Sequence, residues 1–221
     1  MEKYSGILFV LSIFVAAALV VAADVVLAPI LLEFYFQTSV TILFVYDFSV
    51  VLFAGLGGMF VASRVGCPFW WRPSNSASVS RRATYITVFL ALVIVAGNTL
   101  MNLVYAHESA QLAPWLDLLT PETAAAISLR AALNEEIVFR FFLFPSLALV
   151  IRYLVHSQRA SLVISALISA ILVGITHAGF VLAFLLAFPL VYIYYRRGLL
   201  PAIAVHFFAD AIPFLLISMT P

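Results

Sequence analysis

The sequence predicts an all-α, polytopic membrane protein with about seven transmembrane helices (six to eight), and three observations carry that prediction. Of 221 residues, 65% are hydrophobic and 10% are charged, against about 25% charged in an average soluble domain. Mean hydropathy is +1.17. Apolar stretches of the ~20 residues that a bilayer crossing needs recur along the whole chain, and the basic residues fall into alternate connections between them. The net charge of +1 offers no basic surface for nucleic acid. The single Cys67 excludes an internal disulfide and a multi-cysteine metal site.

In chain order the expected spans are 6–23, 39–62, 84–106, 122–152, 161–178, 180–195 and 199–218. The first ends in Val21-Ala22-Ala23-Asp24, which has the look of a signal-peptidase site. Its apolar core is longer than a signal peptide needs, and apolar sequence resumes at once, so it reads as an uncleaved span. Residues 24–37 read as an interfacial piece or an extension of that span. The second span holds Gly55, Gly57 and Gly58, small residues that let helices approach closely. Between the second and third spans, Phe69-Trp70-Trp71 suits the membrane interface, and the Ser/Asn-rich run after it reads as flexible. Thr120-Pro121-Glu122 is a helix start: Thr as N-cap, Pro at the first position, an acid in the first turn. The fourth span is long and contains Pro145, which makes it one kinked helix or two shorter ones.

With seven spans and the N-terminus inside, Lys3, Arg64, Arg72, Arg81, Arg82, Arg152, Arg159, Arg196 and Arg197 lie on one side. Asp24, Glu33, Glu108, Asp117 and Glu122 lie on the other, without a single Lys or Arg. That is a positive-inside pattern. It supports the span count and an orientation with the N-terminus cytoplasmic and the C-terminus outside; the chain is expected to be an integral protein of a prokaryotic plasma membrane, a single membrane domain over residues 1–221. No internal repeat and no soluble domain is visible.

The polar residues inside the spans carry the functional signal. Glu135, Glu136 and Arg140 share the fourth span, at a cost of roughly 2.5–3.5 kcal/mol each on insertion scales. Glu136 and Arg140 stand at i, i+4 and can pair. Glu135 points about 100° away, leaving one acid without a built-in counter-ion. That asymmetry suits a general base beside a structural ion pair, although a charge network that only fixes packing fits the same spacing. His177 closes the fifth span; alone it reads as a packing histidine. His206 and Asp210 stand at i, i+4 in the last span, where a carboxylate can orient or charge an imidazole. Two Glu, two His, one Asp and one Arg in an apolar core should face one another or a wet cavity. Asn98 and Asn102 read as interhelical hydrogen-bonding residues. Asp47 is the one partner the sequence suggests for Arg130.

Together, Glu135-Glu136-Ile137-Val138-Phe139-Arg140, His177, and the His206-x-x-x-Asp210 pair approached through Arg197-Gly198-Leu199-Leu200-Pro201 resemble the CAAX-protease and bacteriocin-processing (CPBP) family of intramembrane glutamic proteases. The motif-bearing resemblance covers 122–215, the expected catalytic core; the first three spans are family-like only in hydrophobicity. The family's second motif usually has Phe four residues before the His, where this chain has Val173, a change expected to alter packing and not chemistry. Asp210 stands where many members have Asn.

The resemblance implies hydrolysis of a peptide bond in a membrane-associated protein or peptide: CAAX-like processing, leader-peptide removal or cutting of a C-terminal anchor. It implies a polar catalytic cavity between the C-terminal helices. Glu135 would be the general base for a water shared with His177, His206 and Asp210 would stabilise the oxyanion, and Glu136 and Arg140 would support the site. No cofactor and no partner beyond substrate and bilayer is implied. Three other readings use the same residues. Glu135, His177 and His206 are a plausible Zn²⁺ set with an open water position, although no His-Glu-x-x-His run is present. A transporter uses buried acids and histidines as proton relays. An immunity or scaffold protein could keep the fold and bind without cutting. Helix lengths add an expectation of depth. Glu135 lies ~20 Å from the outer start of its helix and His206 ~10 Å from the inner start of its own, similar levels in a core of ~30 Å. His177, counted from Ser161, comes out ~10 Å or more too far outward.

Overall fold

The computed structural model describes residues 2–34, 39–71, 81–104, 114–177 and 179–219. Every element among them is helical: α1 (Glu2–Phe34), α2 (Val40–Val65), α3 (Arg81–Val104), a 3₁₀ turn (Pro114–Leu118), α4 (Pro121–Glu135), a π-helix (Glu136–Leu143), α5 (Phe144–Val155), α6 (Gln158–Ile175), α7 (Phe180–Arg197) and α8 (Leu199–Ser218). Seven segments are long and apolar enough to cross a membrane, with α4, the π-helix and α5 forming one of them, Pro121–Val155. The expected seven-span, all-α architecture is present, and the chain is an integral membrane protein. The Ser/Asn-rich run at 72–80 lies outside the described residues.

Two expectations left open are decided by the helices. The first span does not stop at residue 23: α1 runs on without interruption through Asp24 and Pro29 to Phe34. The fourth span does not split: α4, the π-helix and α5 follow one another without a break. Pro145 lacks an N–H, and its ring would collide with the carbonyl four residues back in a regular helix. The chain widens into π turns just before it; the Phe144 N–H bonds to the Phe139 carbonyl five residues back. A π segment leaves carbonyls poorly served, and the Ser169 hydroxyl of α6 also donates to Phe139, at 3.4 Å.

The chain forms two compact units, one of residues 1–52, 93–134 and 206–221, the other of 53–92 and 135–205. In the first, Ala23, Leu27 and Leu31 of α1 pack with Leu43 of α2 and Ala126 of α4. Trp115 of the 3₁₀ turn meets Phe214 of α8 edge to face, ring centres 5.7 Å apart. The expected cap is formed here, with the Thr123 N–H donating to the Thr120 hydroxyl at 3.3 Å and the Thr120 N–H to the Thr123 hydroxyl at 2.8 Å.

In the second unit, Phe141 and Phe144 place their rings edge-on to Tyr194, at 6.3 and 6.2 Å. A side chain at Gly58 would run into the Phe141 ring and carbonyl, and one at Gly57 into the Phe142 ring, so the close packing expected of α2 glycines is present at these two positions. Phe69 and Trp70, expected at the membrane interface, have a main-chain role as well. Their carbonyls accept the first N–H groups of α8, from Leu199 at 2.8 Å and Leu200 at 3.0 Å. Gly198 makes that approach with φ +107°, and a Cβ there would strike the Trp70 carbonyl.

Candidate active site

The glutamate pair stands where α4 gives way to the π-helix, and the two side chains meet different surroundings. Glu136 is fully buried, and its Oε1 lies 3.4 Å from Nη1 of Arg140, itself 1% exposed. This is the pair that i, i+4 spacing predicts. Glu135 is 23% exposed and turns to His177, with Oε1 3.3 Å from Nε2. The two acids are therefore separated both in partner and in access to water.

Proton accounting sharpens the Glu135–His177 contact. The other ring nitrogen, Nδ1, lies 2.8 Å from the Val173 carbonyl. A carbonyl can only accept, so Nδ1 carries a hydrogen and donates it there. That fixes the ring and aims Nε2 at Glu135. Nε2 of a neutral ring then bears a lone pair, so this contact needs a proton on the carboxyl or on Nε2, or a water between them. Val173 occupies the position where the resemblance expects Phe. It is 3% exposed in an apolar cluster with Ala170 and Ala187, against which Phe139, Phe184 and Phe188 pack. The hydrogen bond to His177 comes from its main chain, so the altered side chain changes packing and leaves the imidazole's anchor in place.

The depth mismatch for His177 disappears here. Both segments descend to the same turn, where α5 ends at Val155 and α6 begins at Gln158. Glu135 lies 20 residues before that end, and His177 lies 19 residues after that beginning. Counted from the shared turn the two are level. Counting Glu135 from the outer start of a 35-residue segment misled, because at ~1.5 Å per residue that segment is longer than the ~30 Å apolar core. Helix length therefore does not place Glu135 and His206 at a common depth either.

The other unit holds the second pair. His206 Nε2 is 3.3 Å from Asp210 Oδ2 on α8. Asp210 is held from its other oxygen, since Asn98 Nδ2 on α3 donates to Oδ1 at 3.2 Å and to the Ala209 carbonyl at 2.8 Å. Asn102 in turn donates to the Asn98 side-chain and main-chain oxygens, at 3.2 and 2.9 Å. The expected interhelical bonding of the two asparagines thus ends on a candidate site residue, a link that their spacing alone did not reveal.

A further polar cluster was only half visible in the sequence. Arg130 donates from Nη2 to Asp47 Oδ2 at 2.5 Å and from Nε to Asp24 Oδ1 at 2.6 Å. Asp24 is therefore no outer-loop acid. It is fully buried in the middle of α1, because helix continuation past residue 23 carries it alongside Arg130. Asn134, next to Glu135 in the chain, donates to Asp47 Oδ1 at 3.3 Å. Among the described residues no three His, Cys, Asp or Glu side chains gather into a metal-ligating group.

A family model described as type II CAAX prenyl endopeptidase Rce1-like matches residues 118–212, a stretch that contains Glu135, Glu136, Arg140, His177, His206 and Asp210. No curated protein matches the chain, and no solved structure does. Residues 118–212, with their glutamate and histidine motifs, thus match the CAAX-protease family.

Proposed function

We propose that the protein is a metal-independent, glutamate-dependent intramembrane endopeptidase acting on a membrane-associated protein or peptide. The observation that carries this reading is the contact of Glu135 with His177, 3.3 Å between a partly exposed carboxylate and a ring nitrogen whose opposite nitrogen is tied to a main-chain carbonyl. Such a pair can hold a water and take its proton.

In this reading Glu135 removes a proton from water as the oxygen attacks the scissile carbonyl carbon. The carbonyl becomes an oxyanion, which an N–H of His206 stabilises. Asp210 and Asn98 hold that imidazole as positioning residues. Collapse of the intermediate breaks the C–N bond, and the amine leaves with the proton that Glu135 had taken. Glu136 and Arg140 keep the helix in register around the base. The substrate is one of the classes that the family resemblance implies: a CAAX-like C-terminus, a leader peptide or a C-terminal anchor. The distribution of Lys and Arg supports an orientation with the N-terminus cytoplasmic and the C-terminus outside, and the membrane in this reading is a prokaryotic plasma membrane.

The test is cleavage of a panel of those three peptide classes by purified protein in lipid, before and after strong chelation, with metal analysis of the same sample. The reading expects cleavage that survives chelation, and a loss of about 10²–10⁴-fold in Glu135→Gln. Stoichiometric zinc whose removal abolishes activity would establish the zinc alternative in its place.

A further inference from the structure

Away from the glutamates, the second unit carries a cleft of about 500 Å³ lined by Arg64, Leu149, Arg152, Tyr153 and His156. Arg64 stands in the last turn of α2 and Arg152 in the last turn of α5. These are the ends of the second and fourth spans, so both residues are at the same membrane face. His156 follows α5 in a left-handed conformation with φ 54°, its N–H bonded to the Arg152 carbonyl.

The charge in this cleft has no internal answer. The only carboxylates in the unit are Glu135 and Glu136. Glu136 is paired with Arg140 and Glu135 with His177. Among the described residues no carboxylate pairs with Arg64 or Arg152, and both are exposed, so their guanidiniums are open to an anion from outside the unit. Two guanidiniums offer the forked donors that suit phosphate oxygens, and the His156 ring adds a further N–H donor. The Arg64 guanidinium lies over the Phe60 ring, 3.4 Å from its centre, a stacking that steadies the side chain.

The surroundings of the cleft are apolar. Tyr153 is 75% exposed, Leu154 74% and Phe60 59%, and in a membrane-spanning helix such side chains face acyl chains. A basic cleft at the membrane end of two spans, flanked by lipid-facing residues, calls for a ligand that is anionic at one end and apolar at the other. We infer that this cleft is a binding site for the phosphate headgroup of an anionic phospholipid. A lesser role for the two arginines would be to complement the helix C-terminal dipoles. That role affects stability and gives no lipid preference.

The experiment is native mass spectrometry of the full chain in detergent with equimolar phosphatidylglycerol and phosphatidylcholine. Wild type should retain phosphatidylglycerol about tenfold or more over phosphatidylcholine, since each interfacial Arg contributes about 1 kcal/mol toward anionic lipid. The doubly substituted Arg64→Gln, Arg152→Gln chain should fall to parity. Millimolar inorganic phosphate should not displace the bound lipid. Parity in wild type, unchanged preference in the double variant, or full displacement by phosphate would each overturn the proposal. Should the double variant fail to fold, Arg152→Lys keeps the charge and removes the fork, and its preference should drop several-fold; an undiminished preference there also counts against the site. None of these readouts depends on peptide cleavage.

Discussion

Two consecutive glutamates meet different neighbours because one residue of helical rotation separates their directions, about 100° in a regular helix. Glu136 turns into protein and finds Arg140; Glu135 turns to His177 and stays partly open. That division was legible in the sequence, since it follows from i, i+4 spacing alone. The anchor of His177 was not legible, because it is a main-chain carbonyl and no side-chain pattern encodes it. The same holds for Asn98. Its pairing with Asn102 follows from spacing, but the amide that reaches Asp210 depends on which helices are neighbours. If Asn98 holds Asp210 and so steadies His206, Asn98→Leu should lower kcat roughly 10-fold to 10²-fold with KM little changed, the signature of a misplaced catalytic group. Steady-state kinetics of folded variant protein checks this. A parallel loss in KM, or none in kcat, would restrict Asn98 to packing.

At the scale of elements, the π-helix is the local departure that matters most. Pro145 made a disturbance foreseeable but not its form, since a kink, a break and a widened turn all relieve the same clash. Arg140 is buried at the centre of that turn against Glu136. Arg140→Leu should destabilise the protein by about 3–5 kcal/mol, because it leaves a carboxylate buried without its cation. The simultaneous Glu136→Leu change should restore much of that loss. Thermal or denaturant unfolding in detergent measures both. The start of α8 makes a separate prediction. Gly198 is held at φ +107° against the Trp70 carbonyl, so Gly198→Ala should cost stability through both strain and collision. Thermal unfolding should show a clear drop in midpoint, whereas Gly97→Ala, at a position where an added Cβ meets nothing, should leave it nearly unchanged.

At the scale of the molecule, span number and helical class could be read from composition because the bilayer permits few alternatives. The linkage of the first helices to the fourth could not, since Asp24 looked like a loop acid until α1 was seen to continue past it. Its bond to Arg130 ties α1 to α4, and Asp47 adds α2. Arg130→Gln should therefore destabilise the fold by about 3–5 kcal/mol, by stranding two buried carboxylates. Asp24→Asn, which keeps an acceptor for the guanidinium, should cost less; chemical unfolding in detergent ranks the two. The central claim remains the identity of Glu135 as the group that activates water in an intramembrane peptidase. Its most direct measurement is quantitative comparison of protein termini in membranes from cells carrying wild type, Glu135→Gln or no protein. The account predicts at least one terminus produced with wild type and lost equally in the other two. A terminus that persists undiminished with Glu135→Gln would contradict it.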